Sequence, residues 1–366
     1  MTVGIGIIGL AQSGRTTVFN ALTGGRSDSK SYYHEGSHLG IARVPEPRLD
    51  ELARLLNPKK VIAAEVKYLD LSASVKSLAG DSAIPGELLT QLSNTDALIN
   101  VVRAFTDESI PHPEGSIEAR RDIEAMKLEL TFSDLAIIER RLSKIDLSLK
   151  KADHAESQQL HHEQELLGRL KTSLEKDIPI RQLELTGEEA KIVCCYQFLS
   201  AKPLLIIINI DESQLKEVRE LEKELAERFQ KPGCLLTTLC GKLETELAQL
   251  DEETAAGFRE EFGLKQGGLD HIIELSYHLI GLISFFTTVS DEVRAWSIPG
   301  GTTALKAAGK IHTDMERGFI RAEVIGCDEL LRIGSIAEAR KHGLLRLEGK
   351  NYIVQDGDVI TFLFNV

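Results

Sequence analysis

The sequence predicts an α/β fold: a doubly wound domain of parallel strands, interrupted by an inserted helical hairpin and followed by a compact β-rich domain. Three observations predict it. Short apolar runs alternate with helical patterns, a Gly-x4-Gly loop sits between the first run and the first helix, and a long charged insertion carries a heptad-like apolar stripe.

The first run, "VGIGIIGL", reads as strand one, and "TTVFNALTGG" as a helix stopped by Gly24 and Gly25. "VIAAEVKYLDL" reads as a strand ending near Asp70, and "DALINVVRAF" as another. "PLLIIINI" is nearly all apolar, as a central parallel strand buried on both faces must be, and "GCLLTTLC" follows as one more. In the insertion Leu128, Phe132, Leu135, Ile138, Leu142, Ile145 and Leu149 recur in steps of four and three; Leu167, Leu170 and Leu174 resume the stripe. These predict an antiparallel hairpin with its tip between Lys150 and Gln159, an arm able to touch a protein partner. From Phe285 onward, "EVRAWSI", "FIRAEVI" and "LLRLEGKNYIVQDGDVITFLFNV" read as short strands around one helix. The predicted boundaries are 1–125 with 196–284 for the nucleotide-binding domain, 126–195 for the arm and 285–366 for the C-terminal domain.

Composition narrows the class. The 366 residues are 42% apolar and 27% charged, as in ordinary globular proteins, and no run approaches a membrane span. A net charge of -13 argues against binding naked nucleic acid through the whole surface, though not against a local patch meeting RNA or a ribosome. "MTVGIGIIGL" lacks the basic start and cleavage site of a signal peptide. Five cysteines without metal-ligand spacing read as free thiols of a reducing compartment, so a cytoplasmic location is expected.

The chemistry concentrates in "GLAQSGRTTVFNAL". Gly9 and Gly14 let the backbone bend close to phosphates, and the amides from Ser13 to Thr16 open a helix whose positive end favours them. Thr16 is placed to ligate Mg²⁺, and Asp70 to hold the metal from a strand end. Arg15 stands where such loops carry lysine; its planar guanidinium reaches phosphates differently. After the buried strand comes "NIDES". Asn209 matches the first position of a guanine-reading Asn-Lys-x-Asp, but Ile210 replaces the lysine and Glu212 the aspartate. Guanine preference should therefore fall, leaving adenine at least as acceptable.

The order of these motifs, with "VPEPRLDEL" and "KAAGKIHTDMERGFIRAEVI", resembles the YchF-type Obg-like ATPases over essentially the whole chain. That resemblance implies a P-loop NTPase fold with a C-terminal TGS domain of the β-grasp type. It further implies phosphate contacts from Gln12, Ser13, Gly14, Arg15, Thr16 and Thr17, base contacts from Asn209, Ile210 and Glu212, and Mg²⁺ bound with ATP or GTP. It departs from the family at Arg15 for lysine, at Ala73 for the switch glycine, and at His34 for the switch threonine. Ser31 or Ser37 are the nearest hydroxyl substitutes, and Ser74 supplies no glutamine beside the switch. The expectation is a purine-nucleotide-binding protein, at most a weak ATPase or GTPase, acting on the ribosome or in translation. The alternative is a nucleotide-independent protein docking through the arm and TGS domain, with Lys150, Lys151 and Arg321 as contact points.

Overall fold

The computed structural model describes residues 4–24, 32–34, 37–71, 86–151, 153–261, 267–289 and 291–365. Contacts divide it into two compact units: Gly4–Gly40 with Tyr68–Leu269, and one containing Ile41–Lys67 with Asp270–Val366.

Thirteen strands are seen among the described residues: β1 (Gly4–Ile8), β2 (Tyr32–His34), β3 (Ser37–Arg43), β4 (Lys60–Ile62), β5 (Glu65–Leu71), β6 (Ala97–Arg103), β7 (Leu204–Asn209), β8 (Cys234–Leu239), β9 (Leu282–Val289), β10 (Glu292–Pro299), β11 (Phe319–Gly326), β12 (Arg346–Glu348) and β13 (Asp358–Phe364). The first sheet runs β2-β3-β5-β1-β6-β7-β8, with β1, β6, β7 and β8 mutually parallel. Every residue of β6 and β7 is buried, as their largely apolar runs require of strands covered on both faces.

The run "VIAAEVKYLDL" is not one strand. It breaks at Ala63–Ala64 into β4 and β5, and β4 pairs with β10 in the second sheet. Both halves read as one apolar run although Val61 of β4 is exposed, so the sequence pattern alone conceals the change of partner.

The arm is a helix Ala119–Leu149 followed by His154–Glu175, so the second helix begins at His154, within the stretch expected to form the tip. Asp153 caps the second helix by accepting from the Glu156 amide at 2.9 Å. The predicted stripe is only half right. Ile138 and Ile145 are buried against Leu160, Leu167, Leu170 and Leu174, but Leu128 and Phe132 face solvent. The reason is a change of partner along the helix. Its first half buries Ile123, Met126 and Leu130 on the sheet, a different face from the one its second half offers the returning helix.

The second sheet runs β12-β11-β13-β9-β10-β4. The helix Ala304–Ile311 lays Ala304, Ala307 and Ala308 against it around Phe285, Phe319 and Phe362. Pro47–Leu56, the helix before β4, is tied into the same unit. Arg48 bonds Glu46 with both Nε and Nη2 and reaches Asp356 with Nη1 at 2.8 Å. Among the described residues no helix is long and apolar enough to cross a membrane.

Candidate nucleotide site

β1 delivers the chain into the loop Gly9–Gly14, and the helix Arg15–Gly24 carries it away. The loop is wedged tightly. A Cβ on Gly9 would come within 2.5 Å of the Val101 carbonyl, and one on Gly14, whose φ is +89°, would overlap the Asn209 amide nitrogen. Gln12 holds a left-handed φ of +61°, a conformation that a non-glycine residue keeps only where its surroundings impose it. Its side chain is exposed, whereas Ser13 is buried and its hydroxyl has no partner among the described residues.

Asn209 is the clamp of this end. Its Nδ2 donates to the Ser13 carbonyl at 3.1 Å, and its Oδ1 accepts from the Gly241 amide at 3.1 Å. The last residue of β7 thus locks the phosphate loop to the start of the helix Gly241–Leu247. Its own carbonyl accepts from Ala104 and Phe105, at 2.8 and 3.0 Å, fixing the chain after β6 as well. Arg103, almost wholly buried, braces that chain from within by donating to the carbonyls of Phe105, Asp107 and Ile110. The result sets the Phe105 ring beside Gly14.

Thr16 and Asp70 come together. The threonine hydroxyl donates to Asp70 Oδ2 at 2.9 Å, while Asp70 Oδ1 is buried with no partner among the described residues. Burial pushes the Arg15 guanidinium below its ordinary pKa, and the nearby Asp70 carboxylate pulls it back up; arginine stays charged throughout. The site therefore concentrates one fixed cation, a hydroxyl and a half-satisfied carboxylate at a helix start.

The base side is less assembled. Ile210 is 2% exposed and belongs to the core, so only its backbone can face a ligand. Glu212 is exposed at the start of a 3₁₀ turn, Glu212–Lys216. Asp211 caps that turn through Ser213 and reaches the Thr106 amide at 3.2 Å. Burial, with Glu212 and Asp211 nearby, raises the Cys240 pKa. Ala73, Ser74 and Ser31 lie outside the described residues, and of His34 and Ser37 only the backbone is described.

Sequence reasoning missed Arg103. It is a single polar residue whose partners are backbone carbonyls of the chain that follows, so no side-chain spacing marks it; the only signal was an arginine closing a mostly apolar strand.

Comparison with known proteins finds relatives along the whole chain. A family model named YchF-GTPase_C, described as "Protein of unknown function (DUF933)", matches residues 282–365. The "Ribosome-binding ATPase YchF" of Bacillus subtilis is 37% identical over 370 residues, covering 100% of both chains. Its namesake in Escherichia coli O157:H7 is 35% identical, covering 99% of each. The solved "Structure of the Schizosaccharomyces pombe YchF GTPase" superposes with a TM-score of 0.87 at 27% identity, covering 99% of this chain and 98% of that one.

Proposed function

Because this chain belongs to the YchF family, we propose that it is a ribosome-associated nucleotide-binding protein of the cytoplasm, which holds ATP or ADP with Mg²⁺ and hydrolyses ATP slowly or not at all. The observation that carries the reading is the Thr16–Asp70 pair beside a phosphate loop clamped by Asn209.

The donor set suits Mg²⁺: both groups are hard oxygen ligands, and Asp70 Oδ1 is a buried acceptor awaiting a partner. Thr16 would hold the ion directly and Asp70 from behind; the ion, when bound, neutralises phosphate charge. The chain's own part is positional. Amides of Gly14, Arg15, Thr16 and Thr17 at the helix start face the phosphates. Arg15 supplies charge to the terminal phosphates without lysine's compact reach. Glu212 accepts a hydrogen bond from the amino group of the base, favouring adenine, with GTP as the poorer ligand. Phosphoryl transfer depends on positioning, so arginine in place of lysine lowers turnover more than binding.

Calorimetric titration of the Mg²⁺-loaded protein with ADP, ATP, GDP and GTP tests this. Absence of heat with all four at millimolar nucleotide sinks nucleotide binding. A preference for GTP refutes the role given to Glu212. Arg15→Lys should raise ATP hydrolysis, and no rise would place the limit elsewhere.

The substitution at Arg15 also favours a second reading, in which the arm and C-terminal domain dock regardless of nucleotide. Lys150, Lys151 and Arg321 are exposed, as that role requires. Co-sedimentation with ribosomes that is unchanged between nucleotide-free, ADP and ATP conditions would select it.

A further inference from the structure

A cavity of about 140 Å³ lies beside the first residues of β7 and β8, at the strand ends away from the phosphate loop. Its walls are largely apolar, formed by Met126 and Leu130 of the arm helix with Leu204 and Ile206 of β7. Two polar groups break them. Asn100 sits mid-strand in β6, 2% exposed, and lines the cavity. Arg181 gives Nη1 to the carbonyls of Ser200 and Lys202, but its Nε is buried and unpartnered among the described residues.

Leaving the buried Arg181 Nε without an acceptor is unfavourable. An asparagine among the apolar residues of β6 gives the cavity a polar wall that a ligand can meet. The rim sets its charge. Lys127, Arg228 and Lys231 surround the opening. Lys127 pairs with Asp177 and Arg228 with Glu124, whereas among the described residues Lys231 meets no carboxylate. The Cys234 thiol in the wall is held neutral by burial, although Arg181 and Lys127 pull its pKa down, so it adds no competing anion.

We infer that this cavity binds a small organic carboxylate: its charge at Arg181 and Lys231, its apolar body along the arm helix, and a polar tail on Asn100. The space equals roughly five water molecules at about 30 Å³ each, which suits an acid of about six carbons. Inorganic phosphate would leave the apolar walls and Asn100 unmet.

The full-length protein, saturated with Mg²⁺ and ADP, should bind 6-hydroxyhexanoate with a millimolar or tighter Kd, and hexanoate about tenfold more weakly. Hexylamine should not bind. Asn100→Leu should erase the difference between the two acids. Lys231→Glu, a surface change that leaves the core intact, should weaken both acids at least about fivefold while ADP affinity stays unchanged. Failure of either acid to bind, binding of hexylamine as tightly as the acids, or acid affinities indifferent to Lys231→Glu would each overturn the assignment. Loss of ADP binding instead would count against the nucleotide reading and leave this one standing on its own titration.

Discussion

Asp70 and Asp134 are both buried aspartates, and the two regions use them in opposite ways. At the arm root, Asp134 Oδ1 accepts from the Leu199 amide at 2.9 Å and Oδ2 from the Ser200 amide at 2.7 Å. Both oxygens are spent on the protein, holding the turn that leads into β7. At the phosphate loop, Asp70 spends one oxygen on Thr16 and keeps the other unsatisfied. Burial does not distinguish the two carboxylates; completed hydrogen bonding does.

The largest effect that would test this contrast is Asp134→Ala. It strands two buried amides and should cost about 2–4 kcal/mol of unfolding free energy, measured in urea. Nucleotide affinity of the folded fraction should hold. Asn209→Ala comes next. It releases the Ser13 carbonyl and the Gly241 amide together, so we expect about 1–3 kcal/mol of lost stability and a clear fall in nucleotide affinity. Stability loss with intact binding would show that the clamp is not needed to shape the loop. Asp70→Asn should do the reverse of Asp134→Ala, changing the urea midpoint little while weakening Mg²⁺-dependent nucleotide binding roughly 10–100-fold. A large loss of stability there would erase the contrast.

The smallest effect is in pH. Burial raises the Asp134 carboxyl from its ordinary 3.8 to about 6, against the opposing amides and Arg181. Between those values the native state binds more protons than the unfolded chain, so this group's contribution is full below about 4 and is lost as pH rises to about 6. Wild-type stability should therefore fall across that window relative to Asp134→Asn, whose profile lacks this component. Parallel profiles would reject the shift.

What could be read in advance follows from how each feature is encoded. The phosphate loop was legible because a strand, two glycines and a helix start lie consecutively. The parallel strands were legible because burial on both faces leaves unbroken apolar runs such as that of β7. The arm was legible as a hairpin but not in its packing, because Leu128 and Phe132 keep the spacing of Ile138 while the helix changes partner beneath them. Asp134 was invisible because its partners lie 65 and 66 residues onward. Asn209 was read as a base contact; its amide also holds the Ser13 carbonyl and the Gly241 amide, residues 196 and 32 positions away, which no local spacing signals.

The excursion through Pro47–Leu56 and β4 has a consequence for synthesis. β4 finds its partner in β10, and Arg48 its carboxylate in Asp356, 308 residues later. A chain emerging from the ribosome therefore makes the first piece of this unit early and must hold it incomplete until the last strands appear. The stretch "VPEPRLDELARLL" is then a waiting segment through most of translation. Removing the C-terminal strands would not trim off a self-contained module; it would leave an amphipathic helix without a sheet to cover.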